Sequence, residues 1–139
     1  MKTRLSLITL IIGLTLIACE KEKDQINTDA NLLIGSWINP QYNDTLVTFE
    51  RINSLKDNDY GFSIIYDSQF IERKNSGFCG TPPISYSDYE GNWAQKNSII
   101  SITVGYWGGI VDYKWKIVSI DENNLTIIRI EEEYHTEDD

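Results

Sequence analysis

Residues 98–120 read SIISITVGYWGGIVDYKWKIVSI and contain two runs in which apolar and polar side chains alternate. The apolar positions of the first run are Ile100, Ile102, Val104 and Tyr106. Those of the second run are Val111, Tyr113, Trp115 and Ile117. Gly108 and Gly109 lie between the runs and favour a tight turn. The stretch therefore predicts an antiparallel hairpin with one buried face.

The same alternation recurs after Leu32, with turn residues between the runs. It predicts eight strands, at residues 35–39, 45–52, 60–66, 69–74, 86–95, 98–106, 110–120 and 124–132. Most joins are too short for the crossovers that parallel strands need, so we expect sequential hairpins. The prediction is an all-β domain over residues 32–134, closed as an eight-stranded antiparallel up-and-down barrel in which the first and last strands pair. A β-sandwich satisfies the same pattern and is the alternative.

The amino terminus combines a basic start with an apolar stretch from Leu5 to Ala18. As a helix this stretch would span roughly 21 Å, short of the roughly 30 Å of a bilayer core. It is therefore typical of a secretory signal peptide, residues 1–18, rather than of a membrane span. The string LIAC at residues 16–19 resembles the lipobox of bacterial lipoproteins. The resemblance implies that Cys19 is diacylated, becomes the new amino terminus and anchors the protein to a membrane.

Residues 19–31 are charged and polar and predict a flexible tether after the lipidated cysteine. Glu20 differs from the aspartate that resembles an inner-membrane retention signal, which favours an outer-membrane lipoprotein of the cell envelope, periplasmic or surface-exposed. If Cys19 carries lipid, Cys79 has no cysteine partner within the chain. We expect Cys79 to pack as a small apolar residue in a rigid Pro-Pro loop.

Composition argues against several function classes. The chain has 12 basic and 21 acidic residues and a formal charge of −9, which argues against nucleic acid as a partner. No nucleophile elbow, phosphate loop or dinucleotide motif is present, so we expect no enzyme and no cofactor. His135 lies in an acidic tail predicted at residues 135–139, and Asp88 and Glu90 lie two apart on one strand. We interpret all three as solvent-exposed residues and expect no metal site.

Two motifs resemble lipocalins. Residues 35–37, Gly-Ser-Trp, follow a predicted helical turn and resemble the Gly-x-Trp signature of that family. Residues 91–93, Gly-Asn-Trp, followed by residues 98–102, are similar to the middle hairpin of bacterial lipocalin-like lipoproteins. The resemblance spans roughly residues 32–132. It implies that a basic residue of the last strand packs across the first tryptophan, which would pair Arg129 with Trp37 at the barrel floor.

Aromatic residues of the predicted strands suggest a binding site. The candidates for its lining are Phe62, Trp93, Tyr106, Tyr113 and Trp115. If they point inward, they form an apolar pocket with polar groups that orient a small, partly apolar ligand in the barrel mouth. The alternative is a barrel filled by its own side chains, which would serve as an interaction module for another envelope protein. We expect the loop around Cys79 to help close the floor beneath Trp37.

Overall fold

The computed structural model describes residues 30–77 and 82–136. This part of the chain forms one helical turn, α1 (Ala30–Leu33), followed by eight strands. They are β1 (Gly35–Asn43), β2 (Leu46–Ile52), β3 (Gly61–Ile64), β4 (Gln69–Asn75), β5 (Tyr86–Lys96), β6 (Ile99–Tyr106), β7 (Gly109–Ile120) and β8 (Asn124–Thr136). The signal peptide, Cys19, Cys79 and the predicted tether up to residue 29 lie outside the described residues, whereas the last two residues of the tether belong to α1.

The eight strands close into an antiparallel barrel, as the alternating pattern predicts, so the sandwich alternative is wrong. Strands β3 to β8 are hydrogen-bonded to one another in sequence order. Two strands, β1 and β8, extend four residues beyond their predicted ends. A register shift between Ile38 and Gln41 lets β1 continue past Pro40, and pairing between Ile110 and His135 carries β8 into the predicted tail.

The order of the first three strands differs from the prediction. Strand β1 lies between β2 and β3, so the barrel closes between β2 and β8 rather than between the first and last strands. The join of residues 53–60 covers the outer face of β1, where Ile38 is buried. A Cβ on Gly61 would lie 2.8 Å from the Ile38 side chain and 2.9 Å from that of Leu55. Glycine therefore permits this close crossing.

The two ends of the barrel differ, and we call the end that carries α1 the floor and the opposite end the mouth. At the floor, Leu33 is fully buried and its carbonyl oxygen accepts a hydrogen bond of 3.1 Å from Trp37 Nε1. The guanidinium that covers the Trp37 ring belongs to Arg51 of β2, at 4.2 Å from the ring centroid. The predicted pairing of Trp37 with Arg129 is wrong, because Arg129 lies towards the mouth.

The loop between β4 and β5 is also at the mouth, because β4 begins at the floor and ends at Asn75. Its two described ends meet where Ser76 N donates to the carbonyl oxygen of Ser85 at 2.9 Å. The prediction that this loop closes the floor beneath Trp37 is therefore wrong. It depended on a strict meander, which the position of β1 breaks.

The centre of the barrel is filled by large side chains. Four fully buried aromatic residues meet there with ring centroids 4.9 to 6.3 Å apart. They are Phe49, Phe62, Phe70 and Trp115. Isoleucine, valine and leucine side chains of five strands surround them. Such close packing leaves the two ends of the barrel as the places where a ligand can enter.

Candidate functional site

An open recess of about 380 Å³ lies at the mouth, directly above the packed centre. Strands β1, β4, β7 and β8 contribute to it, together with the residue before β3. Its lining is Pro40, Tyr42, Tyr60, Glu72, Lys74, Tyr113, Arg129, Glu132 and Tyr134. The volume falls in the range of small-molecule sites. We refer to this feature as the mouth recess.

A buried carboxylate forms the base of the mouth recess. Glu72 is 2% exposed. It lies on the inner face of β4 between Phe70, which is in the core, and Lys74, which lines the recess. The hydroxyls of Tyr60 and Tyr113 donate to its two oxygens, Oε1 and Oε2, at 3.0 and 3.3 Å. Lys74 Nζ lies 2.6 Å from Oε2. This carboxylate is therefore both charge-paired and hydrogen-bonded, as a buried charge requires.

Burial and the nearby carboxylates raise the pKa of three tyrosines of the recess, Tyr60, Tyr113 and Tyr134. Burial, followed by the charge of Glu72, raises the pKa of Tyr60 and of Tyr113 well above the usual value. Burial and a hydrogen bond to Glu132 raise the pKa of Tyr134 to about 12. These three hydroxyls therefore stay protonated at neutral pH, and each donates its proton to a carboxylate of the chain, to Glu72 or to Glu132.

Arg129 is the cation of the recess that forms no ion pair with a described carboxylate, although Glu132 is near enough for its charge to act on the guanidinium. Among the described residues, no carboxylate oxygen lies within 4 Å of its guanidinium. Its Cζ lies 5.7 Å from the centroid of the Tyr42 ring, which is 64% exposed. The recess therefore combines one available guanidinium with an open aromatic surface.

The five predicted lining residues occupy different parts of the barrel. Phe62 and Trp115 fill the centre, and Trp115 Nε1 has no acceptor among the described residues. Trp93 lies towards the floor, where its Nε1 donates to the carbonyl oxygen of Ile65 at 2.8 Å. Tyr106 lies beside the recess, with its ring 5.1 Å from that of Tyr134. Only Tyr113 of the five lines the recess itself.

Sequence reasoning missed six polar or aromatic members of the recess. They are Tyr42, Tyr60, Glu72, Lys74, Glu132 and Tyr134. A signal for Glu72 was present, because alternation places it on the same strand face as Phe70, which is buried. Arg129 was singled out, but for a role at the opposite end of the barrel.

The other acidic and histidine candidates lie on the outer wall of the barrel. Asp88 receives two hydrogen bonds from Arg73, at 2.6 and 2.8 Å, and these lower the pKa of the carboxyl. Glu90 is exposed. His135 Nε2 lies 3.0 Å from Asp112, on the outer face of β7 and β8. Within residues 30–77 and 82–136, no three such residues cluster in a way that could hold a metal ion.

Comparisons of the chain with protein-family models, with curated proteins and with solved structures find no match. The similarity to lipocalins thus remains a hypothesis from two sequence motifs, and the closed barrel is what the structure adds. In the described part of the chain, every helix is too short or too polar to span a bilayer.

Proposed function

We propose that this chain is a lipid-anchored protein of the bacterial cell envelope, with a lipocalin-like barrel that binds a small, partly apolar ligand without catalysing a reaction. The observation that carries the binding proposal is the mouth recess. It is concave, opens to solvent, and carries both aromatic surface and directed polar groups. These are the properties of a small-molecule site.

The filled centre determines where the ligand binds. Phe49, Phe62 and Trp115 occupy the axis of the barrel, so a ligand cannot be enclosed there without displacing buried aromatic rings. Removing such a ring costs about 3–5 kcal/mol of stability. The ligand therefore lies in the recess, held between the mouth strands.

The anchoring proposal rests on the sequence around Cys19, where a short apolar stretch ends in LIAC. Replacing Cys19 with serine removes the acylation site. The variant should leave the membrane fraction of the native host, whereas the wild type should stay in it and show the mass of a diacylated amino terminus. Retention of the variant in the membrane, with no acyl mass on the wild type, would refute the anchor.

Native mass spectrometry of protein purified from its own host tests the binding proposal. Tyr42→Ala removes an exposed ring of the recess, and Tyr66→Ala is a matched control. Both tyrosines are about equally exposed, at 64% and 63%, but Tyr66 lies in the β3–β4 turn at the floor. A small molecule that accompanies the wild type and the Tyr66 variant, and is lost from the Tyr42 variant, is expected. A ligand retained by both variants would place binding elsewhere.

A second function, docking of another envelope protein, is favoured by apolar residues at the same end of the barrel. Trp107 and Ile110, in and after the β6–β7 turn, are 52% and 50% exposed. Exposed aromatic and aliphatic side chains are common in protein interfaces. If native spectra show no small molecule but a defined protein complex that Trp107→Ala abolishes, the interaction module replaces ligand binding.

A further inference from the structure

The charged groups around the mouth recess differ in whether they have a partner within the chain. Lys74 is 2.6 Å from the buried carboxylate of Glu72, so this pair is internally neutralised. Glu132 accepts a hydrogen bond from the hydroxyl of Tyr134. Arg129 has no comparable carboxylate among the described residues, and its guanidinium faces the recess. The guanidinium of Arg129 can therefore donate hydrogen bonds to an anion that comes from outside the chain.

The two cations that already lie near the tyrosine rings argue against a cationic ligand. A cation would be attracted by the faces of such rings. However, Lys74 Nζ already lies 5.6 Å from the centroids of Tyr89 and Tyr113, and Arg129 lies over Tyr42. A second cation would enter next to these two, and like charges at short distance repel each other.

The carboxylates at the border of the recess argue against a multiply charged anion. Glu72 and Glu132 both line it, and only Glu72 has a lysine against it. One negative charge can be balanced by Arg129. A second would add repulsion from Glu132 without a further unpaired cation in the recess.

We infer that the ligand is an organic monoanion, a carboxylate carried on a flat apolar body. The planar guanidinium of Arg129 holds the carboxylate, and the exposed ring of Tyr42 packs against the apolar body. The inference rests on the proposed function and adds the chemical class of the ligand.

Calorimetric titration of the full chain with two probes of the same shape tests this assignment. The probes are 2-naphthoate, which carries a carboxylate, and 2-naphthalenemethanol, which carries a hydroxyl instead. The wild type should bind the acid about tenfold or more tightly than the alcohol, since a carboxylate carries the opposite charge and can accept two parallel hydrogen bonds from the guanidinium, whereas the neutral hydroxyl accepts one. Inorganic phosphate should not displace the acid.

Three variants test whether Arg129 causes the preference for the acid over the alcohol. Arg129→Gln should bind both probes equally, and Arg129→Lys, which keeps the charge but not the planar fork, should show an intermediate ratio. Lys116→Gln, at an exposed site on the outer wall, should keep the wild-type ratio. Thermal unfolding of each variant verifies that the barrel is folded.

Each contrary result has a distinct meaning. Equal binding of acid and alcohol to the wild type, lost on Tyr42→Ala, would refute the monoanion and leave mouth binding intact. A preference that persists in Arg129→Gln would refute the assignment to Arg129. If neither probe binds the wild type, both the monoanion and the mouth as an aromatic-ligand site are refuted.

Discussion

Replacing Lys74 with methionine should destabilise the barrel strongly, because it removes the cation from a buried carboxylate. The Glu72 side chain is 2% exposed, the Lys74 side chain 16%, and their charged atoms are 2.6 Å apart. Removing one partner of a buried ion pair typically costs about 3–5 kcal/mol, because the remaining charge has lost its compensation. Tyr60 and Tyr113 still donate to Glu72, so we expect a loss near the lower limit, about 3 kcal/mol.

Urea unfolding at neutral pH, followed by tryptophan fluorescence, measures this loss. With a denaturant slope of about 1–3 kcal/mol per molar for a domain of this size, the unfolding midpoint should fall by roughly 1–3 M. Lys114→Met is the matched control. Its ion pair with Glu131 joins β7 to β8, whereas Glu72 and Lys74 both lie on β4. Both side chains of the control pair are much more exposed, at 41% and 60%. The control should cost less than about 1 kcal/mol.

Adding Glu72→Gln to Lys74→Met should recover more than half of the lost stability. Glutamine keeps one oxygen that accepts from a tyrosine hydroxyl, its amide group can donate to the oxygen of the other hydroxyl, and it leaves no unpaired charge. If Lys74→Met costs no more than the Lys114→Met control, or if the second substitution recovers nothing, the buried pair does not have the role assigned to it here.

Further predictions concern alkaline pH, the floor and the edge of β8. Burial raises the pKa of Tyr113, so above about pH 10 the hydroxyl ionises in the unfolded chain first, and the free energy of unfolding should fall as the pH rises. In urea titrations at several pH values, Tyr113→Phe should make this fall about 1.4 kcal/mol per pH unit less steep, and an unchanged dependence on pH would contradict the prediction. Arg51→Met removes the cation over Trp37 and its hydrogen bonds to two carbonyls near α1. It should lower the free energy of unfolding in urea by about 3 kcal/mol, and a loss under about 0.5 kcal/mol would show that these contacts of Arg51 do not stabilise the floor. Among the described strands, β8 beyond residue 128 pairs only with β7. Replacing its charged side chains Glu131 and Glu133 with threonine should increase self-association in sedimentation velocity, whereas an unchanged oligomeric state would show that charge does not protect this edge.

The sequence was sufficient to predict the barrel because alternation identifies buried faces directly. In β6 and β7 every position predicted to face inward is buried except Tyr106 at the mouth, which is half-buried. Alternation does not identify neighbouring strands, however. The join of residues 53–60 is long enough to pass over β1, and only the three-dimensional structure shows that it does.

The error over Arg129 has a similar physical origin. Both arginines alternate with buried residues, Arg51 with Phe49 on β2 and Arg129 with Ile127 on β8, so both are predicted to face inward. Which of them covers Trp37 depends on height along the barrel. Arg51 is near the floor end of β2, whereas Arg129 lies beyond the residues of β8 that pair with β2. Strand register, which the pattern does not contain, decides between the two.

The central claim is that ligand binds at the mouth over a filled barrel, and nuclear magnetic resonance of the isotope-labelled chain during titration with 2-naphthoate tests it most directly. The backbone amides of Tyr42 and Arg129 should shift progressively with probe concentration. The indole N–H signals of Trp37 and Trp93, at the floor, should stay where they are, because the packed aromatic centre separates them from the recess. Shifts of the floor indoles with unchanged signals at Tyr42 and Arg129 would contradict the account.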